Sequence, residues 1–266
     1  MRRIGLLGGM SWESTAVYYK LLNEGVQRRL GGLHSADLVL RSVDFAEVDE
    51  LLVAGAWEAL GATLAGEIRA LRDAGAEIIG IACNTVHLVA EQVMAAVDVP
   101  LVHIVDAVGQ AARRAGLGTV GLLGTEYTMN STLYSDHLQQ QGIEVVVPEP
   151  ADRTVVHQVI LDELCHGVIR APSRERLVEV VRRLVERGAQ GVVLGCTEIG
   201  MLLGPDDVDV PVLDSTRVHV EALLDAALSP RLTVLPAVPA PVADVSLPDP
   251  FESTASPRPT RQERSA

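Results

Sequence analysis

The sequence predicts an α/β protein in which two similar halves each form a parallel sheet flanked by helices, with the active site where the halves meet. Between residues 1 and 228, short apolar runs alternate with longer segments of helical periodicity, which is typical of parallel sheets covered by helices. Apolar residues make up 48% of the chain and aromatic residues only 3%. Aliphatic side chains must therefore fill the core, as they do around buried parallel strands.

The first half can be divided into elements along the chain. A strand is predicted at Arg3–Leu7, and the turn after it ends at Ser11, an expected N-cap for a helix that runs to about Arg29. The remaining predictions are strands at Asp37–Ser42, Glu77–Ala82 and Leu101–Ile104, and helices at Trp57–Ala74 and Val86–Ala96.

An internal repeat is the third observation behind the predicted fold. Four segments recur in the same order at offsets of 111 to 116 residues. They are Ile4–Gly9 with Val120–Thr125, Arg72–Glu77 with Val185–Gln190, Cys83–Thr85 with Cys196–Glu198, and Asp98–Val102 with Asp209–Leu213. Common strand and turn sequences could explain part of this, but cysteine and Asp-Val-Pro are not generic strand residues. We therefore interpret the repeat as two related halves.

The repeat divides the chain into residues 1–116 and 117–228. The segment near 217–228, after the final strand of the second half, is expected to pack back on the first half. Residues 229–266 hold eight of the 14 prolines and lack periodicity, which predicts a disordered tail.

Charge and cysteine content exclude several classes of function. The net charge of −13 argues against nucleic-acid binding, which needs a basic surface. No run of about 18 uncharged apolar residues is present, so no membrane span is predicted. Three cysteines without a signal-like start indicate reduced thiols and a cytoplasmic location.

Two of these cysteines, Cys83 and Cys196, follow matched strands of the two halves. Ligands of parallel sheets bind beyond the carboxyl ends of the strands, and a helix N-terminus after each cysteine would lower its thiol pKa. Two halves that face each other would place one thiol on each side of a substrate. This arrangement suits a racemase, in which one base removes an α-proton and a second acid returns a proton to the opposite face.

Such a site must also stabilise the negative charge that develops on the substrate, which N–H and hydroxyl donors can do without a metal or cofactor. We expect neither a metal nor a cofactor here. The candidate substrate-binding residues flank the cysteines and the glycine-rich turns: Met10, Ser11, Asn84, Thr85, Thr125, Thr197 and Glu198.

Less specific interpretations remain for some residues. Cys83, His87 and Cys196 could bind a metal, or Cys83 and His87 could form a nucleophilic pair as in a hydrolase. Cys165 has no counterpart in the repeat and is expected to be a small core residue. The other histidines considered are expected at the surface or in packing: His34, His103, His157 and His219.

Several motifs together resemble the aspartate/glutamate racemase family. They are Ile4–Thr15 (IGLLGGMSWEST), Arg29–Ala36 (RLGGLHSA), Cys83–Thr85 (CNT) and Gly195–Glu198 (GCTE). The resemblance covers about residues 1–228. It implies a pyridoxal-independent racemase acting on aspartate, glutamate or a broader set of amino acids, an interdomain site, and a homodimer. Cys83 and Cys196 are its two acid/base residues by the family pattern.

The chain departs from the family pattern where a distal carboxylate is bound. Cys165 stands at the position that resembles the family's lysine, and the arginine-like region Phe45–Asp49 has no basic residue. Related layouts occur in hydantoin racemases, maleate isomerases and arylmalonate decarboxylases, although a decarboxylase of this type needs only one such cysteine. A non-catalytic amino-acid-binding protein is the alternative of a different class.

Overall fold

The computed structural model describes residues 1–229. The seven strands are β1 (Ile4–Gly8), β2 (Leu38–Ser42), β3 (Ile78–Ile81), β4 (Thr119–Leu123), β5 (Glu144–Val146), β6 (Gly191–Leu194) and β7 (Val212–Asp214). The ten α-helices are α1 (Trp12–Leu30), α2 (Phe45–Val53), α3 (Trp57–Asp73), α4 (Ala90–Met94), α5 (Ile104–Arg114), α6 (Glu126–Asn130), α7 (Leu133–Gln139), α8 (Pro150–Asp162), α9 (Ala171–Glu186) and α10 (Ser215–Leu228). Short 3-10 turns lie at Thr85–Val89, Leu164–His166, Ile199–Met201 and Pro205–Asp207. The predicted tail lies outside the described residues except for Ser229.

The strands form two parallel sheets, which confirms the predicted fold class. The first sheet has the order β2-β1-β3, and the second has the order β5-β4-β6-β7. Every strand pair is parallel. Strands β1 and β3 are buried along their whole length, because helices cover both faces of the sheet. Within residues 1–229, no helix is both long and apolar enough to cross a membrane.

The predicted strand at Leu101–Ile104 is wrong. Only Leu101 pairs with Ile79, and Ile104 is already the first residue of α5. The chain turns early because His103 caps this helix, with its Nδ1 accepting from the Val105 N–H at 3.3 Å. At the matching edge of the second sheet, the chain does form a strand, β7, which pairs with β6.

The predicted helix at Val86–Ala96 is shorter and begins as a 3-10 turn. The His87 N–H bonds the Asn84 carbonyl three residues back, whereas an α-helix would use the carbonyl of Cys83. That carbonyl is instead occupied by Nδ1 of the His87 ring, at 2.8 Å. A side chain has therefore replaced a backbone donor, and regular helix begins only at Ala90.

The last helix of each half packs among apolar residues of the other half. Val220, Leu223 and Leu224 of α10 share a buried cluster with strand residues of β1 and β3. The α5 residues Ile104, Val105, Val108 and Ala112 join the core around β4 and β6 in the same way. Burying a leucine contributes about 1.5–3 kcal/mol, so this exchange stabilises the contact between the halves and the cleft they enclose.

Candidate active site

A narrow cleft with a cavity volume of about 30 Å³ lies where the carboxyl ends of the two sheets meet. Its lining includes all but one of the site residues predicted from the sequence: Met10, Cys83, Asn84, Thr85, Thr125, Cys196, Thr197 and Glu198. Ser11 is the exception, and it contacts the lining through Glu198. The structure thus brings the predicted set together in one place.

Cys83 follows β3 in a loop and is only 9% exposed. The backbone N–H groups of Thr85 and Val86 face its sulfur and favour the thiolate, but burial outweighs them and raises the pKa of the thiol to about 12. The expectation that the helix start after Cys83 would lower this pKa is wrong, because burial outweighs those N–H groups. Cys83 is therefore protonated at neutral pH in this closed cleft.

Cys196 follows β6 in the second half, at the place that Cys83 has in the first. Burial, and next the negative charge of Glu198, raise the pKa of its thiol well above the ordinary value. The thiol donates a hydrogen bond of 2.9 Å to Oε2 of Glu198. Here too the expected lowering of the pKa is wrong, because burial and the charge of Glu198 outweigh the backbone N–H of Glu198 beside the sulfur.

Glu198 accepts four side-chain hydrogen bonds, and two of them join the two halves. Its Oε1 accepts from the hydroxyls of Ser11 at 2.8 Å and Ser14 at 2.5 Å, both in the first half. Its Oε2 accepts from Cys196 and from the Thr197 hydroxyl at 2.8 Å. Ser11 does stand at the N-cap of α1 but makes no side-chain capping bond, because its hydroxyl serves this carboxylate. Ser14 was missed by sequence reasoning.

Asn84 and Thr85 also bridge the halves. The Asn84 amide donates to the Ser215 hydroxyl at 3.0 Å and accepts from the Tyr134 hydroxyl at 2.6 Å. The hydroxyls of Thr85 and Thr125 share a hydrogen bond of 3.0 Å. These side chains therefore fix the loop after Cys83 against the second half, a role that the sequence did not indicate.

His87 has no ring nitrogen free for a metal or for a thiol. Nδ1 bonds the Cys83 carbonyl at 2.8 Å, and Nε2 accepts from the Ile104 N–H at 3.4 Å. Burial lowers the pKa of His87 to about 3, so the ring is neutral. The alternatives of a Cys/His nucleophilic pair and of a metal site through His87 therefore do not fit this geometry.

One group in the described part of the chain has the donor set of a metal site. His103, Asp106 and His137 have ligand atoms within 4.8 Å of one another. His137 Nδ1 lies 3.0 Å from Asp106 Oδ1, and burial lowers the pKa of His103 well below its ordinary value. Asp106 lies on α5, His103 caps that helix and His137 lies on α7, and none of the three lines the cleft.

The wall of the cleft opposite the loops after Cys83 and Cys196 contains Cys165 and residues of the arginine-like region Phe45–Asp49. Cys165 is half-buried and packs against the core of the second half, as expected, but it also lines the cleft. The lining contains no lysine, arginine or histidine. The other residues of this wall come from helices α2, α6 and α8: Phe45, Asp49, Leu52, Tyr127, Ile160 and Leu161.

Comparison with known proteins agrees with this architecture. The chain aligns over 86% of its length with the whole of a candidate Asp/Glu racemase from Yersinia pestis, with 43% identity and a TM-score of 0.80. It aligns equally far with the whole of an aspartate racemase homologue from Pyrococcus horikoshii OT3, with 35% identity and a TM-score of 0.76. The broad specificity amino-acid racemase RacX of Bacillus subtilis is 24% identical over 85% of this chain and 98% of its own length.

Two parallel sheets whose carboxyl ends meet at one cleft define a racemase fold. The model of the Asp/Glu/Hydantoin racemase family matches residues 7–223. The chain belongs to this family.

Proposed function

We propose that this protein is a cofactor-independent amino-acid racemase in which Cys83 and Cys196 are the two acid/base residues. One observation supports this most directly: matched loops of two related halves bring one thiol each to a single cleft. A substrate whose α-carbon lies between the sulfurs meets a proton acceptor on one face and a proton donor on the other.

The proton transfers balance without a further reactant. A thiolate at one cysteine takes the α-proton and becomes a thiol, while the thiol of the other cysteine gives its proton to the opposite face and becomes a thiolate. The reverse reaction uses the same groups with their roles exchanged. The two sites titrate as a coupled pair, because each proton transfer changes the charge facing the other.

Glu198 is the group that generates the first thiolate in this proposal. Both thiols are protonated in the closed cleft, and the Cys196 thiol already donates to Glu198 at 2.9 Å. Moving that proton onto the carboxylate leaves the total charge unchanged, so it avoids the cost of adding a second buried anion. The hydroxyls of Ser11 and Ser14 hold the carboxylate in place. Cys196 is then the base for one enantiomer and Cys83 the acid.

The developing carbanion needs donors aimed at the substrate carboxylate. The loop after Cys83 offers the backbone N–H groups of Thr85 and Val86, which face the cleft sulfur. The Thr197 hydroxyl is not such a donor, because its proton already goes to Oε2 of Glu198 at 2.8 Å. The two N–H groups are fixed before substrate binds, so little free energy is lost in reorganising them during the reaction.

A hydantoin racemase is a second candidate. Its supporting observation is the absence of any lysine, arginine or histidine from the cleft lining within the described residues. A neutral ring substrate needs no cationic partner, whereas a second carboxylate does.

A homodimer that works in the cytoplasm completes the proposal. Trp12 and Tyr19 of α1 are 68% and 56% exposed, and aromatic residues are enriched at protein interfaces. The three free cysteines suit a reducing compartment. Light scattering after gel filtration should give twice the chain mass; a single-chain mass would refute the dimer.

The function is tested by α-proton exchange in deuterated buffer, followed by NMR over L- and D-amino acids and hydantoins. We expect exchange and loss of optical activity with amino acids, and no racemisation with Cys83→Ala or Cys196→Ala. Circular dichroism and urea unfolding of both variants control for folding. Full racemisation by either folded variant would refute the two-thiol mechanism. Tight amino-acid binding without exchange in the unmodified protein would instead favour a non-catalytic binding protein.

A further inference from the structure

The wall of the cleft around Cys165 is apolar along its sides and carries an unpaired carboxylate. Four aliphatic or aromatic side chains, Phe45, Leu52, Ile160 and Leu161, line the cleft beside Asp49. Phe45, Asp49 and Leu52 lie at spacings of four and three on α2, so they share one face of that helix. A substrate side chain that enters here meets apolar walls first and a negative charge among them.

Asp49 makes no hydrogen bond or ion pair with any residue of the described chain, although it is half-buried. Asp44, the residue before α2, instead caps the helix by accepting from the Ala46 N–H. A cation supplied by the substrate would give this carboxylate of Asp49 an ion-pair partner in the partly enclosed cleft.

A second carboxylate, that of Glu13, lies beside the turn that follows Cys165. Oε2 of Glu13 is buried and has no hydrogen-bond partner within residues 1–229. Oε1 of Glu13 lies 3.8 Å from the position that a Cβ on Gly167 would take, so Glu13 packs against the turn that follows Cys165. The charges of Glu13 and Asp49 are both felt at the Cys165 thiol and help to raise its pKa, after burial and the charges of Glu198 and Cys83.

Resting on the racemase function proposed above, we infer that this cleft takes amino acids with a cationic side chain, and that Asp49 is the residue that selects them. The methylene groups of a lysine or ornithine lie along Phe45, Leu52 and Leu161, and the terminal ammonium pairs with Asp49. An acidic side chain would bring a like charge towards the same carboxylate, with no cation of the lining to offset it.

A different role for Asp49 predicts a different pattern. If Asp49 bound the α-ammonium group, which every amino acid carries, its removal would weaken all substrates equally. If it binds the side chain, its removal weakens only cationic substrates. Comparison of L-lysine with L-norleucine separates the two, because norleucine keeps the apolar stem and the α-ammonium group but has no side-chain charge.

The experiment measures calorimetric binding and α-deuterium exchange for L-lysine, L-ornithine, L-norleucine and L-glutamate. We expect kcat/KM and affinity for lysine to exceed those for norleucine about tenfold or more, with glutamate the poorest. Asp49→Asn should remove the preference and leave norleucine within about twofold of the unmodified protein. Glu50→Gln is the matched control, since Glu50 is the next residue of α2, is exposed and does not line the cleft.

Each remaining outcome decides between the claims. Equal use of lysine and norleucine by the unmodified protein would overturn the inference, and so would an equal loss for both in Asp49→Asn. Preferential lysine binding that depends on Asp49, without exchange of any amino acid, would support the cation site and overturn the proposed racemase function. Exchange of glutamate in preference to lysine would keep the racemase function and refute the cationic specificity.

Discussion

Acid should destabilise this protein through His87 and His219, which lie in the interior near the contact between the halves. Both rings are buried and neutral, and burial lowers the pKa of His87 to about 3 and that of His219 to about 4. The His219 ring is held between the Tyr18 hydroxyl at 2.8 Å and the Val102 carbonyl at 2.7 Å. In each ring, protonation would turn the nitrogen that now accepts a hydrogen bond into a donor.

The size of the effect follows from the difference between the folded and unfolded chains. In the unfolded chain each ring takes up a proton as the pH falls below 6.5, whereas the folded chain does so only near pH 3 to 4. The stabilisation of the folded chain by these two neutral histidines is therefore complete above pH 6.5, and it is lost as the pH falls from 6.5 towards 4. At pH 5 each histidine should lower the free energy of unfolding by about 2 kcal/mol, and the two together by about 4 kcal/mol.

Urea unfolding followed by circular dichroism at pH 7 and pH 5 measures this loss. His219→Gln keeps one donor and one acceptor but cannot take up a proton in this range, so the acid-dependent loss should shrink by about 2 kcal/mol. His34 is exposed, so His34→Gln should change the acid dependence very little. An unchanged pH dependence in His219→Gln would refute the reasoning.

Three substitutions extend the account. Glu198→Gln should lower kcat by about a hundredfold or more while the fold is retained, because an amide does not take the proton of a thiol; steady-state racemisation and circular dichroism measure the two effects. Leu224→Ala should cost about 2–5 kcal/mol in urea unfolding, since this side chain is fully buried against Gly25, and a loss below 1 kcal/mol would contradict the packing. Asn84→Ala leaves the buried Tyr134 hydroxyl without its acceptor and should cost about 1–3 kcal/mol; unchanged stability would show that water replaces the amide.

The alternation of short apolar runs and helical segments was sufficient to predict two parallel sheets, because hydrophobic periodicity reflects which faces are buried. The prediction from this alternation failed where a side chain competes with the backbone for a hydrogen bond. The sequence around His87 has the pattern of a helix start, yet its imidazole takes the carbonyl that an α-helix would use. His103 ends the predicted strand at Leu101–Ile104 by capping α5. In both cases a side chain takes the hydrogen-bond partner of a backbone group, which a local sequence pattern does not show.

The site was predictable where the repeat pointed to it. The matched positions of Cys83 and Cys196 led to the expectation of one shared cleft, and the structure brings them to one. Ser14 was not found, because it is an ordinary residue on a helix face that reaches Glu198 only through tertiary packing. Asp49 was located only as the end of the arginine-like region Phe45–Asp49, and no role was predicted for its own carboxylate. The predicted direction of the thiol pKa was wrong because burial of the whole cleft outweighs the backbone N–H groups beside each sulfur.

The isotope content of the first product molecules tests the two-thiol mechanism most directly. Racemisation of one enantiomer in deuterated buffer should give product that carries solvent deuterium at the α-carbon from the first turnovers, while the remaining substrate keeps its protium. This follows because the thiol that donates, at Cys83 or at Cys196, is not the one that received the proton. Early product that retains the original protium, or substrate that gains deuterium as fast as product forms, would contradict the account, because a single base would then serve both faces.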